Sequence, residues 1–141
     1  MPRTEVVFFK DDDGSVPVLE WLQELKRRSR RAFAKCVVRI QRLAELGHEL
    51  RRPEADLLRD EIHELRARLG HVHYRILYFF HGREAAVLAH ALTKTDRVPA
   101  ADIDPALRRK RLFRRDPQRY THYAEEGDTT SGQDERRAES D

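Results

Sequence analysis

A chain of 141 residues matches the usual size of one domain, roughly 100–150 residues, and leaves no room for two full ones. Hydrophobic residues make up 39% and charged residues 38%, against about 25% charged in an average globular protein, so a small core sits in a highly charged shell. The net charge of +3 hides an asymmetry: residues 125–141 carry −5 and the preceding 124 residues +8. A basic body of that size suggests a polyanionic partner such as RNA, DNA or an acidic protein.

No run approaches the roughly 18 apolar residues of a membrane span. The stretch Met1-Pro2-Arg3-Thr4-Glu5 lacks a signal peptide's apolar core, so a cytoplasmic protein with no membrane partner is expected. One cysteine, Cys36, excludes an intrachain disulfide and reads as a small packed hydrophobe rather than a nucleophile.

In chain order, Glu5–Phe9 is a β-rich run ended by the turn signal Asp11-Asp12-Asp13-Gly14. Ser15 is placed to cap a helix from Val16 to about Arg28, with Val18, Leu22 and Leu25 on one stripe and Trp21 beside it. Ser29 marks a break. A second helix is expected over Arg30–Leu46, with Phe33, Val37, Ile40 and Ala44 inward and Gly47 at its C-terminus. Lys26, Arg27, Arg28, Arg30, Arg31, Arg39 and Arg42 make this hairpin's surface basic, as a solvated helix face or as a nucleic-acid contact.

Residues 48–61 read as a loop. The period then changes to two, giving strands at Ile62–Leu69, His71–Phe80 and Ala85–Lys94 in an antiparallel meander. Alternation places Leu65, Ala67 and Leu69 opposite Glu64, Arg66 and Arg68. In the next strand, Arg75 shares a face with His73, Leu77 and Phe79, and Tyr74, Ile76, Tyr78 and Phe80 occupy the other. His90, Leu92 and Lys94 share a face of the last strand. Asp104-Pro105 reads as the N-cap and first residue of a basic C-terminal helix containing Arg108, Arg109, Lys110, Arg111, Arg114 and Arg115. Residues 1–116 form the expected domain, and 117–141 a C-terminal extension whose acidic tail is disordered.

Arg66, Arg68, Arg75 and Lys94 can converge on one sheet face, and a face of Arg, Lys and His without a carboxylate pair suits phosphate chemistry. Arginines on a solvated sheet face would look the same. The seven histidines, among them His71 and His73 on one strand face, lack HExxH or cysteine partners, so no metal or other cofactor is expected. The four serines have no GxSxG setting, and no glycine-rich phosphate loop is present.

Arg52-Pro53-Glu54, Glu64-Leu65-Arg66, the run Tyr74-Arg75-Ile76-Leu77-Tyr78-Phe79-Phe80, and Lys94-Thr95 ahead of Pro99 occur in an order and spacing that closely resemble the HigB-like, phage-derived branch of the RelE/ParE toxin superfamily. The resemblance covers roughly residues 5–115. It implies an α+β, RelE-like fold with two N-terminal helices packed on a small antiparallel sheet and a C-terminal basic helix. It further implies the toxin of a type II toxin–antitoxin system, a ribosome-dependent mRNA endonuclease that works without a metal by 2′-OH attack on the adjacent phosphate. Its partners would be a cognate antitoxin, the ribosome and mRNA. Carried onto this sequence, Arg75 would stabilise transition-state charge, Arg66 would position the phosphate, and Lys94 or His90 would transfer protons. Arg68, His73, Arg97, Arg108, Arg109 and Arg111 are further expected RNA contacts. Where tandem lysines are common in that branch this chain has Thr93-Lys94, one cation fewer. Two other functions fit the same pattern: a gyrase inhibitor of the ParE branch, and a non-catalytic phage-derived protein that binds RNA or the ribosome.

Overall fold

The computed structural model describes residues 3–94 and 97–123. The acidic tail, residues 125–141, expected to be disordered, lies outside the described residues. Strand β1 (Glu5–Phe8) leads into helices α1 (Pro17–Arg28) and α2 (Arg30–Leu46). Strands β2 (Ala55–Arg59), β3 (Ile62–Leu69), β4 (Val72–His81) and β5 (Ala85–Lys94) follow, then helix α3 (Ala100–Arg115). The sheet order is β1-β5-β4-β3-β2.

The fold is α+β as expected, and three features of the expected architecture are corrected. The sheet is mixed rather than antiparallel, because β1 runs parallel to β5 with Glu5 opposite Ala85 and Phe8 opposite Leu88. Part of the supposed loop 48–61 is the edge strand β2, paired antiparallel with β3. Helix α3 packs on the sheet face opposite α1 and α2, which makes three layers.

Strand β4 contains the reason for that third layer. Its run from Tyr74 to Phe79 is buried on both faces, the mark of a central strand covered on each side. Tyr74, Ile76 and Tyr78 join Val18, Leu22, Cys36 and Leu43 of the hairpin in one core. Leu77 and Phe79 join Ile103, Ala106 and Phe113 of α3 in the other. The Phe113 ring meets Phe79 edge-on at 5.8 Å, and full burial of one such side chain stabilises by about 1.5–3 kcal/mol.

Local chemistry moves several boundaries. Ser15 does not cap α1; Val16 holds that position, and its N–H donates to Glu20 Oε2 at 2.9 Å. Ser29 caps α2, its hydroxyl accepting from the Ala32 N–H. The inward stripe of α2 is rotated by about one residue from the expected one, with Ala32, Cys36 and Leu43 fully buried and Phe33 and Ile40 packed at the margin. Burial pushes the Cys36 thiol up to about 12, as suits a packed hydrophobe. Helix α3 begins at Ala100, so Asp104 is not its N-cap and Pro105 lies inside it. Burial of Ile103 and Ala106 holds that early turn against the sheet.

Strand β2 is joined to β3 by a two-residue turn, Asp60-Glu61, with φ of 52° and 66°. Hairpin turns with two positive φ values favour Asn-Gly, and this pair lacks that signal. Helix α3 clamps the turn: Lys110 Nζ donates to the Asp60 carbonyl at 2.6 Å, and Lys110 and Arg114 both reach Glu61. After α3 the chain turns back along β1. Phe9 bridges to Thr121, and the Tyr120 ring stacks on Phe9 at 5.5 Å.

Candidate functional site

Strand register arranges the expected residues in three rows on the α3 side of the sheet. Glu64 pairs with Leu77, and Leu77 with His90. In the next row Arg66 pairs with Arg75 and Arg75 with Leu92; in the third Arg68 pairs with His73 and His73 with Lys94. A register shift between Leu77 and Tyr78 opposite β5 puts His90, Leu92 and Lys94 in these rows, while Leu88 joins the hairpin core. The side chain of Lys94 and residues 95–96 lie outside the described residues.

Helix α3 covers the first row, and the cations lie toward the end of the sheet beyond it. Arg68 is exposed, His73 is half-buried and Arg97 is exposed between β5 and α3. Arg66 is about one-third exposed, whereas the side chain of Arg75 is only 8% exposed.

The expected face without a carboxylate pair is corrected. Glu64, 2% exposed, sits between the two arginines: its Oε1 accepts from Arg75 Nη1 at 2.7 Å and its Oε2 from Arg66 Nε at 2.9 Å. Asp56 on β2 lies 3.4 Å from Arg66 Nη2 and 3.1 Å from Arg52 Nη2. Positive and negative groups therefore alternate in the order Arg75, Glu64, Arg66, Asp56, Arg52. The hydrogen bond from Arg52 holds the Asp56 carboxyl below the usual carboxylate range, against the opposing effect of its desolvation. Arg75 Nε is buried with no hydrogen-bond partner. Such an atom is costly, and it leaves donor capacity at the centre of the face. Pleat alternation had already put Glu64 beside Arg66. Sequence reasoning missed its role because pairing across strands requires the register.

Glu54 acts from the other side. Its carboxylate accepts from Arg42 Nε and Nη2 at 3.1 and 3.2 Å and from Arg39 Nη1 at 3.0 Å, while Arg39 Nε donates to the Arg66 carbonyl at 2.7 Å. The Arg42 hydrogen bond keeps Glu54 below its ordinary range; partial burial opposes this, and the charges of Arg42 and Arg39 reinforce it. Arg39 and Arg42 are read from sequence as helix surface or nucleic-acid contact; here Arg39 ties α2 to the backbone of β3, and Arg42 ties it to Glu54 ahead of β2.

The remaining expected residues divide. His90 is engaged on both ring nitrogens by α3: Nε2 lies 2.9 Å from Asp102 Oδ1, and Nδ1 lies 3.4 Å from Arg109 Nη1. Arg109 is largely buried and donates to the Ala89 carbonyl at 2.7 Å, and desolvation pushes its pKa below the ordinary arginine value despite Asp11 nearby. Arg108 is exposed but pairs with Asp11 at 2.8 Å. Arg111 is exposed. The structure therefore brings Arg66, Arg68, Arg75 and His73 together, with Lys94 at the adjoining strand position, and sets apart His90 under α3 and Arg108 and Arg109 on α3 itself. Among the described residues no cluster of His, Cys, Asp and Glu has the grouping to hold a metal ion, and no helix is long and apolar enough to cross a membrane.

The model of one protein family, described as phage-derived protein Gp49-like (DUF891), matches residues 20–111. The chain belongs to this family. The matched region runs from within α1 to within α3 and contains every strand of the site. No curated protein matches the chain. The Gp49-like match leaves out β1 and the segment after α3, so the Phe9–Tyr120 stack lies outside the matched residues.

Proposed function

We propose that this Gp49-like protein is the toxin of a type II toxin–antitoxin system and cleaves mRNA on the ribosome. The observation that carries the reading is the convergence of accessible Arg66, Arg68 and His73 with buried Arg75 at one end of a single sheet face, in the register just described. The motif resemblance to HigB-like toxins of the RelE/ParE superfamily runs through the same strands, and the Gp49-like match spans them.

In the proposed reaction the ribose 2′-OH attacks the adjacent phosphorus and the bond to the 5′ oxygen breaks. The products are a 2′,3′-cyclic phosphate and a 5′-OH, with one proton removed from the nucleophile and one delivered to the leaving oxygen. Arg66, the accessible member of the pair, binds the phosphate by exchanging Glu64 for a phosphate oxygen. Arg75 stabilises the charge that builds on the equatorial oxygens. Lys94, one row away, is the proton-transfer group, since both ring nitrogens of His90 are engaged by α3. Arg68 and His73 contact the flanking backbone. The partners in this reading are the ribosome, mRNA and a cognate antitoxin, in the cytoplasm.

Primer extension on a defined mRNA after brief induction tests this, with translation running or blocked. Wild type should give discrete cuts within the reading frame that require translation. Arg66→Ala should reduce them about 10²- to 10³-fold, the effect of removing one oxyanion donor, while circular dichroism shows a folded protein. Arg66 is the better probe because truncating buried Arg75 would strand Glu64. Growth arrest with intact mRNA and failed supercoiling would replace the proposal with gyrase inhibition. Salt-sensitive RNA binding without any cleavage product would replace it with a binding protein.

A further inference from the structure

A groove of about 260 Å³ lies between α2 and the end of β3, lined by Ala34, Lys35, Val38, Arg39, Ala67 and Arg68. It lies apart from the Glu64-centred ion network. Two features mark it out. Val38 is 48% exposed, a large apolar side chain on a helix whose other outward positions are mainly charged. The strand that forms its other wall also has an unpaired edge, because β2 pairs with β3 only as far as Ala55 opposite Leu65.

The direction of that edge follows from its neighbour. The Arg66 N–H donates to the Glu54 carbonyl, and the Arg66 carbonyl accepts from Arg39, both away from β4. Backbone polarity repeats every second residue in a strand, so the N–H and carbonyl of Arg68 point the same way, into the space beside α2. No described strand pairs with β3 there. The groove thus combines an open backbone edge, an apolar floor of Ala34, Val38 and Ala67, and a cationic rim of Lys35 and Arg68.

We propose that this groove is a docking site for an extended acidic segment of another protein, which adds as a short strand to the Arg68 edge of β3. Main-chain hydrogen bonds would provide affinity, as in other strand additions. An apolar side chain of the segment would sit on Val38, and its carboxylates would meet Lys35 and Arg68. The chain's own acidic stretch is a poor occupant: residues 125–141 have seven acidic residues, but Ala138 is their only hydrophobic one, so nothing there fills the floor.

The test uses the full chain and a fluorescein-labelled eight-residue peptide alternating leucine and glutamate, read by anisotropy without RNA or ribosomes. Its result is therefore independent of the nuclease proposal. Saturable binding with a Kd of about 10–100 μM is expected. Val38→Asp should weaken it at least about tenfold and Lys35→Glu about fivefold, the fold-changes of roughly 1–1.4 kcal/mol. Circular dichroism spectra of both variants should match wild type, and bound peptide should slow hydrogen exchange at the Arg68 amide. The proposal fails if both variants bind the peptide like wild type, or if the Arg68 amide stays unprotected at saturation. It fails equally if a peptide copying residues 125–141 binds as tightly with the same sensitivity to Val38, or if an RNA oligonucleotide shows that sensitivity instead.

Discussion

Replacing Glu64 with Gln should unfold more of this protein than any single surface change. The substitution keeps the shape and one acceptor oxygen but removes the charge that faces Arg75 at 2.7 Å and Arg66 at 2.9 Å. Arg66 is about one-third exposed and can turn to water, so its share is small. Arg75 is 8% exposed and already has an unpartnered Nε, so it would remain as a buried charge without a counterion. Removing one member of a buried pair costs about 3–5 kcal/mol, against a total stability of about 5–15 kcal/mol for a domain. For a domain of this size the thermal midpoint should fall by about 10–20 °C. Calorimetry and urea denaturation measure both quantities. The double variant Glu64→Met with Arg75→Met should return to within about 1 kcal/mol of wild type, because a well-packed apolar pair can replace a buried ion pair. A loss below about 1 kcal/mol for Glu64→Gln, or a double variant no better than the single, would refute the claim that Glu64 is the counterion of Arg75.

Three further outcomes follow from the same geometry. Glu54 and Asp56 are held below their ordinary carboxylate range by Arg42 and Arg52; a lowered folded pKa contributes stability above the unfolded value of about 4, and that stability is lost as pH falls toward the folded value. Urea midpoints between neutral pH and pH 3 should drop accordingly, and Glu54→Gln should flatten the drop; identical slopes would count against the pairing. Cys36, with its thiol pushed to about 12 by burial, should resist thiol reagents at pH 8 until the chain unfolds, and labelling at the rate of a free cysteine would contradict its burial. Gly47→Ala should destabilise by about 1–3 kcal/mol, since φ there is +54° and the new Cβ would run into the Thr4 hydroxyl; Thr4→Ala should restore only the steric part, and full restoration would show that backbone conformation contributes little.

The bounds of α2, β3 and β5 follow from period, Ser29 and the turn residues, all local signals, and match the observed ones. Strand β2 carries no local signature, because Ala55-Asp56-Leu57-Leu58-Arg59 has no β-branched residue and its turn uses Asp-Glu at two positive φ values. That turn holds because Lys110 and Arg114 arrive from a helix 50 residues later. The Asp104-Pro105 pair is a strong N-terminal signal, yet burial of Ile103 and Ala106 outweighs it and α3 begins at Ala100. At the site, the sequence singled out Arg66 and Arg75 but not the carboxylate between them.

By itself the sequence determined the α+β class, the alternating faces of β3 and β4 and the arginines placed on one of them, since each depends on residues a few positions apart. Tertiary structure alone decided the rest: that β1 lies parallel beside β5, that α3 covers the second apolar face of β4, and that Glu64 neutralises two arginines from different strands. These are pairings between segments tens of residues apart, fixed by which apolar faces can be buried together and which buried charges find counterions. No local period encodes them.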